Sequence, residues 1–159
     1  MGTRIALAIL GIAAVAVLPS AVVAQAPDPA VGTWELNLTK STFSPGPAPK
    51  SETRTYAMAG KKLKMTSIVV DAAGTKRTVR STYTVDGKVY PVTGERGVDS
   101  QSLTQTDRYN VEGNIMYKGK VVQTAKRTVS NDGKVLTIWF KGTDAKGQKI
   151  DNMLAFDKR

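Results

Sequence analysis

The stretch KVVQTAKRTVSNDGKVLTIWFKG, residues 120–142, contains two runs rich in Val, Thr and Ile on either side of Asn131-Asp132-Gly133. β-Branched and aromatic residues favour extended strands. An Asp-Gly pair between two such runs favours a tight hairpin, because the turn needs positive φ values that Asp tolerates and Gly adopts freely. The stretch therefore predicts two antiparallel strands, 120–130 and 134–142, joined by a hairpin.

The same alternation of strand-like runs and turns, repeating about every eight to twelve residues, extends from Trp34 to the C-terminus. Eight further strands are predicted at 34–38, 51–58, 62–70, 75–85, 88–92, 101–109, 114–118 and 148–157. Glu112-Gly113 is the predicted turn before the strand 114–118. No segment has the apolar period of about 3.6 residues that indicates a helix. The sequence thus predicts an all-β fold, a single antiparallel up-and-down β-barrel of about ten strands, because closure removes the sheet edges that promote aggregation.

The first 24 residues have the parts of a secretory signal peptide. Arg4 provides a positive charge, Ile5–Leu18 form an apolar run of 14 residues, and Val22-Val23-Ala24 ends in small residues suited to cleavage. The apolar run is shorter than the ~20 residues that a membrane-spanning helix needs. We therefore expect a helical signal peptide at 1–24, cleavage near Ala24, and export to the periplasm or the extracellular space without a membrane span in the mature form.

Cleavage at this point leaves 135 residues, which is the size of one domain. Residues 25–30, which include two prolines, are predicted to form a flexible leader, and residues 31–159 to form the barrel domain. An outer-membrane barrel is the alternative for an exported all-β chain, and it needs a continuous apolar outer band. The predicted strand 75–85 has polar or charged side chains on both faces, so we interpret the barrel as soluble.

The sequence contains neither histidine nor cysteine. This excludes Ser-His-Asp and Cys-His nucleophilic mechanisms, and metal sites built on imidazole or thiolate ligands. Most acidic residues fall in or beside predicted turns, and no pair of carboxylates has a spacing that indicates acid–base catalysis. We therefore predict a protein that is not an enzyme and that uses no metal or other cofactor. An enzymatic role on such a barrel would rest on analogy alone.

Basic residues outnumber acidic ones, 23 Lys and Arg against 13 Asp and Glu, a net charge of +10. Removal of residues 1–24 leaves 22 basic and 13 acidic residues, a net charge of +9. Such an excess suits a solvated exterior, or a non-catalytic envelope or surface module that binds anionic polymers through its basic exterior. Specific nucleic-acid binding is not expected, since the few aromatic residues do not alternate with the basic ones as a base-stacking surface requires.

Some polar side chains share a predicted inward face with apolar residues. These candidate ligand-binding residues are Arg54, Tyr56, Arg77, Tyr83, Tyr109 and Arg127. A barrel of ten strands leaves room for a small guest, and an interior of this kind suits an amphipathic molecule or lipid with an apolar body and a polar or anionic end. The alternative is an error in strand register, because a slip of one residue would turn each of these side chains to solvent.

The segment Ser44-Pro45-Gly46-Pro47-Ala48-Pro49 has proline at every second position. This spacing is incompatible with a regular helix or a central strand and predicts a stiff, extended connector lying over one end of the barrel. The alternative is a ligand for a proline-recognition domain.

Gly32-Thr33-Trp34 resembles the Gly-x-Trp opening of lipocalins, fatty-acid-binding proteins and related calycin barrels. Thr106-Asp107, followed by Tyr109, partly resembles a second lipocalin motif. The resemblance implies that Gly32 permits a tight entry to the first strand and that Trp34 closes one end of the barrel. It also implies a basic residue packed across this Trp, for which Arg127, Lys158 and Arg159 are the candidates.

The chain departs from these families in two places. Fatty-acid-binding proteins have two helices after the first strand, where this chain has the proline-rich segment, and their late Arg-x-Tyr motif is absent from the last strand. Arg54-Thr55-Tyr56 has the same spacing on an earlier strand. The sequence is most similar overall to secreted bacterial lipocalin-like proteins, and this resemblance implies a fold without specifying a ligand.

Overall fold

The computed structural model describes residues 27–159, so the predicted signal peptide at 1–24 lies outside the described residues. This part of the chain forms ten strands and one short 3-10 turn at Leu38–Lys40. The strands are β1 (Gly32–Leu36), β2 (Ser51–Ala59), β3 (Lys62–Val70), β4 (Lys76–Tyr83), β5 (Asp86–Thr93), β6 (Ser100–Gln105), β7 (Asn110–Tyr117), β8 (Lys120–Val129), β9 (Val135–Thr143) and β10 (Lys149–Lys158). Over residues 27–159 no helix is long and apolar enough to cross a membrane.

Each strand pairs antiparallel with the next one along the chain, and β10 pairs with β1, so the sheet closes into a barrel. The prediction of a ten-stranded up-and-down barrel is confirmed. The hairpin predicted from residues 120–142 is present, with Val129 opposite Leu136 in the β8–β9 ladder. Its turn is closed by a hydrogen bond of 2.8 Å from the Ser130 amide to the Val135 carbonyl, and Gly133 has a φ of 69°.

The predicted turn at Glu112-Gly113 is wrong, because these residues lie within β7. The turn before β7 is formed instead around Asp107, whose Oδ1 accepts hydrogen bonds from the amides of Tyr109 (2.8 Å) and Asn110 (3.0 Å). Gly113 serves a close approach between strands, since a Cβ atom there would lie 2.0 Å from the Ser102 carbonyl oxygen. The glycine that indicated a turn therefore permits strand pairing.

β4 and β5 form the shortest ladder, with only Arg80 opposite Thr93 and Ser81 opposite Val92. Beyond these pairs the two strands diverge, and side chains bridge the gap. The Tyr90 hydroxyl lies 3.0 Å from Asp86 Oδ2 and 2.5 Å from the Thr84 hydroxyl. The β4–β5 register still places the reversal of the chain at Asp86-Gly87, as predicted, and Gly87 has a φ of 78°. No β4–β5 ladder pair adjoins this turn, and Asp86 pairs instead with Thr104 of β6.

Side chains alternate between the interior and the outer surface along the strands, as the pleat requires. On β4, Val79 and Tyr83 are buried, whereas Lys76, Arg80 and Thr82 are exposed. The predicted register of this strand is therefore confirmed, and the alternative of a one-residue slip is wrong.

Large, fully buried apolar side chains lie at the end of the barrel where the N- and C-terminal segments of the described chain meet. Trp34, Phe156 and Leu136 are completely buried there. The Trp34 indole donates a hydrogen bond of 2.7 Å to the Ala30 carbonyl. The ammonium group of Lys158 lies 5.1 Å from the centre of the Trp34 ring, so Lys158 is the basic residue that packs on this Trp.

Gly32 is required by this packing. Its φ of 138° is one that other residues rarely adopt, and a Cβ atom would lie 2.8 Å from the Lys158 side chain. The residues just before it also belong to the barrel end. Ala30 is completely buried, and the Val31 amide donates a hydrogen bond of 2.9 Å to the Asp28 carbonyl. The described part of the predicted leader at 25–30 thus packs against the barrel, because its polar groups bond to the interior.

Candidate ligand-binding cavity

A cavity of about 650 Å³ occupies the half of the barrel away from Trp34. Its inner wall is formed mainly by apolar side chains from seven different positions on β3, β4, β5, β7, β9 and β10. These are Met65, Val69, Val79, Val92, Ile115, Phe140 and Leu154. Volumes of about 300–1,000 Å³ with mostly apolar walls are typical of small-molecule sites.

Four connections between strands meet at the mouth of this cavity. They are the proline-rich segment at 43–49, the β3–β4 turn at 71–73, the β5–β6 connection at 95–98 and the β9–β10 turn at 144–148. In an up-and-down barrel all connections that follow odd-numbered strands lie at the same end. The topology therefore brings together loops that are far apart in sequence.

The proline-rich segment is held at the mouth by hydrogen bonds to β10. The Thr42 amide donates to the Met153 carbonyl (2.8 Å), and the Asp151 amide donates to the Ser44 carbonyl (3.0 Å). The segment was predicted to lie over one end of the barrel, and this is confirmed.

A buried ion pair lies on the cavity wall at β2. Glu52 and Arg54 are two residues apart, so both side chains point inward, and Ser67 lies opposite Arg54 in the β2–β3 ladder. Glu52 Oε1 accepts hydrogen bonds from Arg54 Nη2 (2.6 Å), Arg54 Nε (2.9 Å) and the Ser67 hydroxyl (2.6 Å). Only 4% of the Glu52 side chain and 12% of the Arg54 side chain are exposed. The cavity wall therefore contains an ion pair, between Glu52 and Arg54, that is complete within the protein.

The guanidinium of Arg54 is held in its charged form by its neighbours. Burial by itself would lower its pKa, but the adjacent Glu52 carboxylate, together with Tyr56, raises the pKa above its ordinary value. The guanidinium carbon also lies 5.4 Å from the centre of the Phe156 ring. Arg54 thus connects the polar part of the cavity to the apolar core.

A second buried polar group lies across the barrel on β6. Gln101 is almost fully buried, and its amide donates a hydrogen bond of 3.0 Å to the Ser81 hydroxyl. That hydroxyl donates in turn to the Pro91 carbonyl at 2.8 Å. Pro91 adjoins Val92, which is the last residue of β5 paired with β4, so this side-chain bond extends the contact between the two strands beyond their ladder.

The charged side chains around the cavity balance each other. The cationic ones are Arg54, Arg77, Arg96 and Lys146, and the anionic ones are Glu52, Asp71, Glu95 and Asp144. At the mouth, Arg77 Nε lies 3.1 Å from Glu95 Oε2. The cavity therefore carries no net formal charge, although the whole chain carries +10.

Three of the predicted site residues lie together at the closed end of the barrel, which is the end that contains Trp34. The Arg127 guanidinium forms an ion pair with Asp28 (Nη2 to Oδ2, 2.6 Å) and lies 5.4 Å from the centre of the Tyr56 ring. Burial alone would lower the pKa of Arg127, but Tyr83, Tyr56 and Asp28 together raise this pKa by more, so the net shift is upward. Burial is also the main reason that the pKa of the Tyr83 hydroxyl is raised. This cluster joins the N-terminal segment to β2, β4 and β8.

A small space of about 40 Å³ lies between the closed-end cluster and the main cavity. Arg127 borders it, and the Nε and Nη1 atoms of Arg127 are buried without a hydrogen-bond partner among the described residues. A space of this size can hold ordered water, which needs roughly 10–15 Å³ of such volume.

The predicted site residues thus fall into three places. Arg54 lies in the cavity wall, Arg77 lies at the cavity mouth, and Tyr56, Tyr83 and Arg127 lie at the closed end. Tyr109 follows the turn around Asp107, packs against the core from outside the cavity lining, and accepts a hydrogen bond at its carbonyl from the Val129 amide.

Sequence reasoning missed Glu52, Ser67, Gln101 and Asp28. A signal for Glu52 was present, because Glu52, Arg54 and Tyr56 alternate along one strand and must share a face. Asp28 had no such signal, since its partner Arg127 is 99 residues away in sequence.

No protein-family model matches this chain, and no curated protein matches it. The ten-stranded antiparallel barrel is consistent with a calycin-like architecture. Membership of the lipocalins themselves stays a prediction.

We predict that replacing Asp28 with Asn lowers the free energy of unfolding by about 3 kcal/mol, because it leaves the buried Arg127 charge without its partner. Urea denaturation followed by tryptophan fluorescence measures this change.

Asp151→Asn is the matched control. Asp151 pairs with Lys141 at 3.1 Å on the outer surface, where both side chains are more than half exposed. An exposed pair contributes about 0–1 kcal/mol, so this variant should be close to the wild type. Equal losses of stability in the two variants would show that the closed-end ion pair has no special role.

Proposed function

We propose that this protein binds a small amphipathic molecule or lipid inside its barrel. The observation that carries the proposal is the cavity of about 650 Å³, which has an apolar inner wall and a few convergent polar groups. Apolar side chains of β3, β7 and β10 would bury the body of such a guest. The Glu52–Arg54 pair and Gln101 would orient its polar end.

The way the interior is divided supports a binding role. Large buried side chains occupy the closed end, and the cavity occupies the other half under the proline-rich segment. Among residues 27–159 no cluster of three His, Cys, Asp or Glu side chains could hold a metal ion. We propose no cofactor.

We predict that the neutral fluorescent probe N-phenyl-1-naphthylamine binds to the purified protein with enhanced emission and that amphipathic lipids displace it. Val79→Trp, which fills part of the cavity, should weaken probe binding by about tenfold, because a bulky side chain replaces space that the probe needs. Fluorescence titration measures both effects.

Thr82→Trp is the matched control, because Thr82 is exposed on the outer face of the same strand. It should bind the probe as the wild type does. A protein that binds neither the probe nor any member of a lipid panel would contradict the proposal.

We also propose export to the periplasm or the extracellular space, from the signal-peptide pattern at 1–24. Protein recovered from the source cells should begin at Gln25 and fractionate with exported proteins. An intact Met1 terminus in a cytoplasmic fraction would contradict this proposal, and N-terminal sequencing distinguishes the two.

A second candidate function, binding of an anionic polysaccharide, is favoured by the outer face of β2, β3 and β4. The outward side chains of these three strands include four cations and no acidic residue. The cations are Lys62, Lys64, Lys76 and Arg80. On strands β8 and β9, by contrast, Lys126 pairs with Glu112 and Lys141 pairs with Asp151, both at 3.1 Å.

This basic face suits a polysaccharide better than a nucleic acid. Threonine hydroxyls lie among the cations at Thr66, Thr78 and Thr82, and the outward face of these strands offers no aromatic ring for a base to stack on. The hydroxyls can exchange hydrogen bonds with sugar hydroxyls, and the cations can pair with carboxylate or sulfate groups.

We predict that Lys64→Glu/Arg80→Glu elutes from immobilised heparin at a salt concentration about 0.1 M or more below that of the wild type, because it removes the centre of the basic face. The control Lys120→Glu/Lys149→Glu makes the same change in net charge at exposed lysines elsewhere. Equal shifts for both variants would mean that only net charge matters and would contradict a specific face.

A further inference from the structure

We infer that the buried end of the guest is a hydrogen-bond donor without negative charge, and that the carboxylate of Glu52 accepts its hydrogen bond. This inference rests on the proposed function and defines the class of molecule that the cavity accepts. It excludes the fatty-acid-like anions that a basic barrel would otherwise be expected to bind.

The hydrogen bonds of Glu52 leave one of its oxygens available to a guest. All three bonds that its side chain accepts end on Oε1, from two nitrogens of Arg54 and from the Ser67 hydroxyl. Oε2 is therefore an acceptor without a partner among the described residues, on a side chain that lines the cavity. A hydroxyl, amide or ammonium group can donate to it, whereas a carboxylate cannot.

The positive charge of Arg54 is already compensated by the adjacent Glu52 carboxylate. The Arg54 guanidinium contacts this carboxylate at 2.6 Å, and both side chains are nearly buried. An anionic head group at this position would place two negative charges side by side away from water. Two carboxylates that share a site disfavour each other's ionised form.

The remaining charges around the cavity do not give an anionic guest a net attraction either. The four cationic side chains at its wall and mouth are matched by four anionic ones, and Arg77 is paired with Glu95. The excess positive charge of the chain therefore lies outside the cavity. Arg127 is neutralised by Asp28 and lies beyond the main cavity, beside the space of about 40 Å³.

The inference is tested with three ten-carbon probes that differ only in the polar end: decanol, decylamine and decanoate. Each competes with N-phenyl-1-naphthylamine at pH 7.5, below its micelle concentration. We expect decanol, decylamine or both to bind at least about tenfold more tightly than decanoate, since one tenfold step corresponds to roughly 1.4 kcal/mol. Whichever of decanol and decylamine binds more tightly shows whether the preferred donor is neutral or cationic.

The variant Glu52→Gln should largely abolish the discrimination against decanoate. It removes the negative charge and frees Arg54, so the affinity for decanoate should rise by about tenfold, a difference that one new charge-assisted contact can supply. Glu95→Gln is the matched control, because it removes the same charge from the pair at the mouth and should change decanoate binding far less.

Each possible result of these experiments either supports the inference or overturns it. Decanoate binding to the wild type as tightly as decanol and decylamine would overturn it while leaving the proposed binding function intact. If the fluorescent probe itself does not bind, the proposed function fails and the inference fails with it. If Glu52→Gln does not fold, as circular dichroism would show, the ranking of the three probes by the wild type still decides.

Discussion

Closure of this barrel depends on a first strand of only five residues. β1 pairs with β10 at three positions and with β2 at four, so its ladders contribute few hydrogen bonds. Burial of Trp34 and of its neighbour Phe156 compensates, since fully burying one such side chain contributes about 1.5–3 kcal/mol. The bond from the Trp34 indole to the Ala30 carbonyl then fixes the N-terminal segment across the same end. Packing at one end leaves the other end free to hold a cavity.

The charges inside the barrel occur as matched pairs, and this determines what the interior can accept. Glu52 pairs with Arg54 in the cavity wall, and Asp28 pairs with Arg127 at the closed end, each at 2.6 Å. An unpaired charge in either place would carry a large desolvation cost. Because these two pairs are already formed within the chain, the buried charges of the interior are compensated before any guest is present. The basic excess of the chain lies outside the cavity, whose lining contains equal numbers of cationic and anionic side chains.

Much of the architecture could be predicted from local sequence, and the failures share one physical cause. Asn131-Asp132-Gly133 formed the expected hairpin because its backbone preferences and its neighbours agreed. Gly113 did not form a turn, since its role is to allow the Ser102 carbonyl to approach, and that contact is visible only when β6 and β7 are paired. Among the candidate site residues, Arg54 lies in the cavity wall, whereas Tyr56, Tyr83 and Arg127 lie inside the barrel at the closed end.

The amino-acid sequence by itself determined the number of strands, their antiparallel order and the inward face of β4, because alternation and turn chemistry are local properties of the chain. It also determined that chemistry based on histidine or cysteine is absent. Only the tertiary structure decided where the interior is filled and where it is open. That division depends on contacts such as Asp28 with Arg127 and Trp34 with Lys158, which join residues about a hundred positions or more apart. Their partners are brought together by closure of the sheet, for which no local pattern carries a signal.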